Sequence, residues 1–231
     1  MKISIIVGTM NHLDDLLKPC LESIKVHTDL TDKEVIIVAN GCTDGTRAYV
    51  ESLGEPFKLL WFDKPLGFSR TYNEGAFVAK GDHIVFLNND VVLLSNTWID
   101  LLLNPFTDPK TGLTGVIKFT FDCGRFVKEA FAFWCVMIKR EVFNKIGYLD
   151  EIFNPFGSED IDFSIRASNV GYELVQVPEN VSCKFLLETP KGAPFPIFHH
   201  GSKTIDEHFN SAEKKKLLEN RNMKIIYERY G

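Results

Sequence analysis

The sequence lacks most of the features that would assign it quickly. No stretch approaches the roughly 18–20 apolar residues of a membrane-spanning helix, so no transmembrane segment is expected. The opening Met1-Lys2-Ile3-Ser4-Ile5-Ile6-Val7 is apolar, but it is too short for a signal peptide and carries no cleavage site. Five cysteines (Cys20, Cys42, Cys123, Cys135 and Cys183) are odd in number, scattered, and never in C-x-x-C spacing. That argues against a disulfide framework or a thiolate metal site, and a reduced intracellular chain is the simplest account. Positive charge is not in excess either: 26 Lys and Arg stand against 31 Asp and Glu, a net charge of −5. A dedicated nucleic-acid binder would normally show a basic face, so no nucleic-acid partner is expected. There is no internal repeat and no low-complexity tract. These absences lead us to expect a soluble chain, cytoplasmic or held peripherally at the inner face of a membrane.

What is present is an ordinary globular composition. The chain has 231 residues, 45% of them hydrophobic, enough for one α/β domain with a large core or two small ones. The most informative stretch is Ile84-Val85-Phe86-Leu87-Asn88-Asn89-Asp90. An apolar run of strand type ends in three oxygen-bearing side chains. A strand ending this way delivers a carboxylate to the carboxyl edge of a sheet, where open α/β sheets bind ligands. Hard cations such as Mg²⁺ or Mn²⁺ take such oxygens, commonly together with substrate phosphates. A plain polar turn is the alternative, because Asn and Asp are good turn residues.

Strand and helix signals alternate through the first hundred residues. Ile3–Val7, Val35–Val38, Leu59–Phe62 and Ile84–Leu87 are short apolar runs, as strands covered on both faces should be. Between them, Leu13–Val26 carries a leucine stripe, while Thr46–Leu53 and Ser69–Ala79 end at glycine stops. The alternation predicts a mainly parallel central sheet, doubly wound with right-handed crossovers. Its crevice would be lined by Gly8–Asn11, Ala39–Asp44, Asp63–Arg70 and Asn88–Asp90. After residue 104 the pattern loosens. Val116–Phe121 and Phe131–Ile138 read as strands around a turn at Asp122-Cys123-Gly124. Lys139–Ile146 and Ile161–Val170 read as helices, and Leu174–Val177 as a last strand. The proline-bearing Cys183–Phe198 is expected to be a long loop, and Ser211–Tyr230 a charged helix whose Lys214-Lys215-Lys216 run faces solvent.

Taken in order, these segments resemble family-2 glycosyltransferases of the GT-A fold. Ser4 to Asn11 is similar to the opening strand and nucleotide loop of that family. Val35-Ile36-Ile37-Val38-Ala39-Asn40-Gly41-Cys42-Thr43-Asp44-Gly45-Thr46 resembles its "VDNGSTDGT" segment. Leu66-Gly67-Phe68 through Asn73-Glu74-Gly75 and Ala79-Lys80-Gly81-Asp82 resembles "GfaaarNxG…AxGdyi". Leu87-Asn88-Asn89-Asp90 stands where the family carries its metal-binding DxD. Ile146-Gly147-Tyr148-Leu149-Asp150-Glu151 and Gly157-Ser158-Glu159-Asp160-Ile161-Asp162, with Arg166, resemble "iGgfDE…gEDxDlxxR".

The resemblance implies a single GT-A domain: a nucleotide-sugar-binding half over 1–103, an acceptor half over 104–210, and a C-terminal helix over 211–231. It implies transfer of a sugar, a hexose or deoxyhexose, from a nucleotide-diphosphate donor to an acceptor hydroxyl with inversion, in glycan or polysaccharide synthesis. The acceptor would be a glycan, a lipid-linked molecule or a protein. By this analogy Asp160 is the general base, with Glu159 beside it. Their other reading is as helix-start acids that complement the dipole, and Asp162 would pair with Arg166 four residues on. Thr9, Asn11, Asn40, Arg70, Asn88 and Asn89 fall on the donor, whereas Asp44 reads as a turn and helix cap. Asp90 would hold the Mn²⁺ or Mg²⁺. His199-His200 resembles the family's C-terminal "H-H-x-x-S/T" element, so His199 joins Asp90 as metal ligand, and Lys203 could aid the phosphates. Trp134 and Phe156 are acceptor-side aromatics, with core packing as the alternative. His12, His27, His83 and His208 read as structural. The chain departs from the pattern twice. Ala39 replaces the carboxylate that commonly reads the base, and Asn88 replaces the first Asp of DxD. Those departures keep a non-catalytic nucleotide-sugar- or carbohydrate-binding relative in play. A nucleotidyltransferase fits less well, because Gly8-Thr9-Met10-Asn11-His12 lacks the glycine-rich signature and the basic residue that follows it.

Overall fold

The computed structural model describes residues 2–122, 127–177, 197–201 and 211–231. The expected turn residues Cys123 and Gly124, and the proline-bearing segment up to residue 196, lie outside this range. Strands β1 (Ile3–Thr9), β2 (Lys33–Asn40), β3 (Phe57–Phe62) and β4 (His83–Asn88) alternate with helices α1 (Lys18–His27), α2 (Thr46–Leu53) and α3 (Phe68–Val78). A π-helical turn, Leu13–Leu17, leads into α1. Then follow β5 (Val91–Leu93), α4 (Trp98–Leu103), β6 (Thr111–Gly115), β7 (Lys118–Asp122), β8 (Val127–Phe131), β9 (Cys135–Lys139), α5 (Arg140–Ile146), α6 (Glu159–Asn169), β10 (Glu173–Gln176), β11 (Ile197–His199) and α7 (Ala212–Tyr230).

Seven strands form one sheet in the order β10-β6-β9-β4-β1-β2-β3. Only β9 runs against the rest, pairing antiparallel with both β4 and β6. The domain is therefore α/β with a mainly parallel sheet, as the alternation predicts. The physical reason lies in the strand sequences, which are apolar on both faces. Ile5, Val7, Val35, Ile37, Val85 and Leu87 enter one core with α1 and α4. Their neighbours Ile6, Ile36, Val38, Ile84 and Phe86 enter the other with α3, α5 and α6. Successive side chains point to opposite faces, so an uninterrupted apolar run fills two cores. Each such side chain contributes about 1.5–3 kcal/mol on burial.

The structure corrects several expectations past residue 104. Phe131–Ile138 is not one strand: Phe131 ends β8, and β9 starts at Cys135. Strand β6 was not expected, because Thr111-Gly112-Leu113-Thr114-Gly115 is neither apolar nor alternating. It is nevertheless buried throughout. Its glycines explain this, since a Cβ at Gly112 would come within 2.6 Å of Tyr172 and one at Gly115 within 2.8 Å of Phe131. Small residues let two large rings lie directly against the backbone. Helix α6 begins at Glu159, not Ile161, so the acidic pair sits in its first turn. Ile197 and Phe198, expected in a loop, belong to β11 because Ile197 finds Leu93 across the ladder.

Two smaller sheets stand apart from the main one, β11 with β5 and β7 with β8. The terminal helix α7 exposes most of its charged residues and buries Asn222 and Ile226. Ile226 joins Phe153, Ile161 and Ile165 in a third, small core.

Candidate active site

The carboxyl ends of the parallel strands open into a cleft of about 380 Å³. One wall is made by strand tips and the segments after them: Gly8 to Met10 after β1, Asn40 at the end of β2, Pro65 and Gly67 before α3, and Asn88 to Asp90 after β4. The other wall is made by Ala132 to Trp134, Pro155 to Gly157, Glu159, Asp160 and His199. Glycine at position 67 is required on two counts. Its φ is +82°, and a Cβ there would come within 2.6 Å of Asn154 Oδ1. The two walls meet at this point, where the Phe68 amide donates to Pro155 O at 2.7 Å and the Ser69 amide to Asn154 Oδ1 at 3.1 Å.

Strand β4 ends at Asn88, and Asp90 lies in the turn leading to β5. Strand β11 returns antiparallel to β5 with His199 opposite Val91, and the His200 amide donates to Asp90 O at 2.9 Å. This ladder sets His199 Nε2 3.2 Å from Asp90 Oδ1. Both atoms are buried, and neither has a hydrogen-bond partner. The imidazole stacks on Trp134, with ring centroids 4.6 Å apart and planes 6° from parallel. A buried carboxylate oxygen and ring nitrogen left unpartnered side by side is an arrangement a divalent cation satisfies. The residues therefore fit the expected metal. Among the described residues no group of three His, Cys, Asp or Glu side chains converges, so the chain offers the ion two ligands and leaves the rest to a substrate.

Across the cleft, Glu159 and Asp160 form the second charged feature. Burial pushes both carboxyls above the ordinary range, and the Asp160 charge pushes Glu159 further. Asp160 is the better solvated by protein: Oδ1 accepts the Ile161 amide at 2.8 Å, and the Phe133 amide also favours its charged form. Glu159 Oε2 is buried with no partner. When the two share a proton, it therefore stays on Glu159, leaving Asp160 ionised and basic.

Of the twelve residues expected at the site, ten line the cleft: Thr9, Asn40, Asn88, Asn89, Asp90, Trp134, Phe156, Glu159, Asp160 and His199. Two do not. Asn11 takes a left-handed conformation (φ 56°) and accepts the Thr43 amide at 2.7 Å, tying the first two loops together. Arg70 is half exposed and pairs with Glu74 one turn on, at 3.3 Å. The start of α3, where it was expected to meet a diphosphate, already donates to Asn154 and Pro155. Trp134 lines the cleft, but it turns a face to His199, so that face supports the imidazole.

The polar side chains of the first wall are cross-tied. Asn89 Nδ2 donates to Thr9 Oγ1 at 3.0 Å, and Asn40 Oδ1 accepts the Leu66 amide. Tyr72, which the sequence reading missed, donates to Leu87 O at 3.0 Å and Asn88 Oδ1 at 2.9 Å. Its burial raises the phenol pKa well above 10, so it acts as a donor only. Ala39 is fully buried within β2 and contributes nothing to the cleft. Asp44 accepts from Leu13 and Thr46 amides, a turn and helix cap as expected. Asp162 pairs with Arg166 at 2.7 Å. His12 and His27 pair with Asp15 and Asn96, and His83 packs on Phe106, all outside the cleft lining. Lys203 and His208 lie outside the described residues.

The sequence profile described as Glycosyl transferase family 2 matches residues 4–159. The chain is 30% identical over 214 residues to the O-antigen biosynthesis protein RfbC of Myxococcus xanthus. That match takes in 75% of this chain but only 16% of RfbC. Among solved structures, a mannosyltransferase from Pyrobaculum calidifontis in complex with GDP-Man and Mn²⁺ superposes with a TM-score of 0.64 at 18% identity, covering 77% of this chain and 55% of that one. GalNAc-T7 with UDP, GalNAc and Mn²⁺ superposes with a TM-score of 0.67 at 16% identity, covering 77% and 42%. At such identities the superpositions establish a shared fold.

Proposed function

The chain belongs to glycosyl transferase family 2, and on that premise we propose that its cleft moves a sugar from a nucleotide-diphosphate donor to an acceptor hydroxyl with inversion. The observation that carries this reading is one cleft holding two separated charged pairs of different chemistry. The unpartnered Asp90–His199 pair is suited to a cation, and the buried Glu159–Asp160 pair to proton transfer. Relatives of this fold bind GDP-Man or UDP with Mn²⁺, and the RfbC likeness points to polysaccharide assembly.

In this reading residues 1–103 form the donor half, 104–210 the acceptor half, and 211–231 the C-terminal helix. Asp90 and His199 would hold a divalent ion together with the donor diphosphate, and an imidazole ligand suits Mn²⁺ better than Mg²⁺. When bound, the ion supplies charge neutralisation for the departing diphosphate. Thr9, Asn40, Asn88 and Asn89 present hydrogen-bonding groups to the donor, already oriented by their mutual ties. With Ala39 in place of a carboxylate, base recognition falls to these neutral groups. Asp160 takes the proton of the acceptor hydroxyl as its oxygen attacks the anomeric carbon. The bond to the diphosphate oxygen breaks on the opposite face. Such base catalysis contributes roughly 10²–10⁴ in rate. Phe133, Pro155 and Phe156 exclude water from the acceptor side.

The test is a panel of nucleotide sugars, each with Mn²⁺, Mg²⁺ or EDTA, scored by thermal stabilisation and by slow donor hydrolysis. Metal-dependent stabilisation by one donor supports the reading, and the anomeric configuration of the transferred sugar, read by NMR, tests inversion. No response to any donor with either ion favours the binding relative suggested by Ala39 and Asn88.

A further inference from the structure

We propose that Asn222, on α7, is a positioning residue for the acidic pair: it fixes the backbone from which Glu159 and Asp160 enter the cleft. The proposal rests on the reading of that pair given above. Asn222 does not line the cleft, and α7 lies wholly beyond the segment that matches the family profile.

Asn222 is completely buried on a helix that otherwise exposes its polar residues. Its Oδ1 accepts from Arg221 Nε at 2.9 Å and Nη2 at 2.6 Å. A guanidinium only donates, so it fixes which way the amide faces. The Nδ2 group must then point to the loop. There it donates to Gly157 O at 2.6 Å and Phe156 O at 2.9 Å, with Phe153 O more distant at 3.3 Å. Arg221 Nη2 also reaches Ile152 O at 2.9 Å and Asn154 O at 3.0 Å. Two adjacent residues of α7 thus bind the carbonyls of most of the segment 152–157.

The backbone they hold is unusual. Gly157 has φ +95° and Ser158 φ +71°, two consecutive left-handed residues immediately before Glu159. A serine there costs energy and persists only where its surroundings over-determine it. The Ser158 side chain supplies no cap to α6, so the helix start is not fixed locally. Asn222 supplies the constraint, and the direction of the first turn of α6 follows from it. Without the Nδ2 group, two carbonyls next to the acidic pair lose their donor in a buried setting. Reorientation of that turn would relieve them.

The experiment compares Asn222→Ala with Leu102→Ala, a cavity variant on α4 outside the cleft. Each is assayed for donor KM, kcat and melting temperature, and for amide hydrogen exchange over 153–160. The expected result for Asn222→Ala is a kcat lower by roughly 10–100-fold, the scale of a small misplacement of a reacting group, with donor KM unchanged. Exchange should speed within 153–160 and not elsewhere. Leu102→Ala should lower the melting temperature and change neither kcat nor exchange in that segment. If Asn222→Ala keeps wild-type kcat, or loses it only in step with the unfolded fraction, the proposal is overturned. If Asn222→Ala fails to fold, Asn222→Ser, which keeps one donor, is measured in its place. In a chain that turns over no donor the exchange arm still decides. Local speeding supports the dependence of the loop on Asn222 while sinking the glycosyltransfer reading, and unchanged exchange overturns the proposal.

Discussion

The two walls of the cleft are built on different principles. The wall of strand tips is fixed by its neighbours in the sheet. Thr9, Asn40 and Asn88 each sit at the end of a buried parallel strand, and short hydrogen bonds tie them to the next loop. The acidic wall has no strand behind it. Its loop runs from Asp150 to Ser158 and is held from the rear by the last helix of the chain. Arg221 and Asn222 bind its carbonyls, Arg229 bridges Asp150 and Asp162 at 2.7 and 2.9 Å, and Tyr230 donates to Asp162 at 2.7 Å. One wall inherits its geometry from local order in the sequence. The other acquires it from contacts about seventy residues apart, as in Arg221 with Ile152 (separation 69).

Substitutions can break or sharpen this contrast. The largest effect is expected at Asp160. Asp160→Asn should lower kcat by roughly 10²–10⁴ and leave donor-induced stabilisation intact, measured by steady-state kinetics beside thermal shift. Asp90→Ala should do the reverse on the opposite wall, abolishing the metal-dependent part of donor stabilisation while the metal-free melting temperature stays close to wild type. A pure stability effect comes next. Asp162 is fully buried between Arg166, Arg229 and Tyr230, so Asp162→Ala leaves charged donors unpaired and should cost about 3 kcal/mol in urea unfolding.

Glu159 gives a smaller effect with a definite sign. Its carboxyl is raised in the folded state by burial and by Asp160. Such a group contributes stability at acid pH, and that contribution is lost as pH rises through the folded value. Glu159→Gln should therefore match wild type near pH 4 and become more stable by about 1–3 kcal/mol at alkaline pH, the usual penalty of a buried unpaired group. Equal stability curves at both ends would contradict the burial argument. The raised Asp160 carboxyl likewise predicts that kcat falls on the acid side at a pH above the usual carboxylate range. The smallest effect belongs to Arg70. Because its only described partner is Glu74 on an exposed helix face, Arg70→Ala should change donor KM by no more than about twofold, the scale of an exposed substitution.

The same contrast explains what could be read in advance. Strands β1 to β4 were legible because Ile, Val, Leu and Phe run unbroken where both faces are covered, and the polar residues after each run mark the cleft. Asp90, Glu159 and Asp160 stood out as carboxylates at the ends of apolar segments. Strand β6 was illegible, since its burial depends on glycines that admit Tyr172 and Phe131, rings set far away in sequence. Arg70 was misread because a guanidinium at a helix start suggests phosphate, and nothing nearby shows that Asn154 and Pro155 already occupy that helix end. Tyr72 looked like any aromatic on a helical stripe; only the fold puts its hydroxyl under Asn88. The role of Asn222 had no local signal at all, because a single amide among Lys, Glu and Arg reads as surface.

The short β5–β11 ribbon has a consequence for how this protein tolerates length changes. His199 reaches Asp90 through a three-residue ladder in which Phe198 faces Val92 and Ile197 faces Leu93. Alternation means that a single insertion or deletion just before Ile197 turns the strand over. Phe198 or His200 would then arrive where His199 now stands. Frame within that strand is thus under tighter constraint than identity at its other positions, and one indel there would act on the cleft much as losing the histidine does.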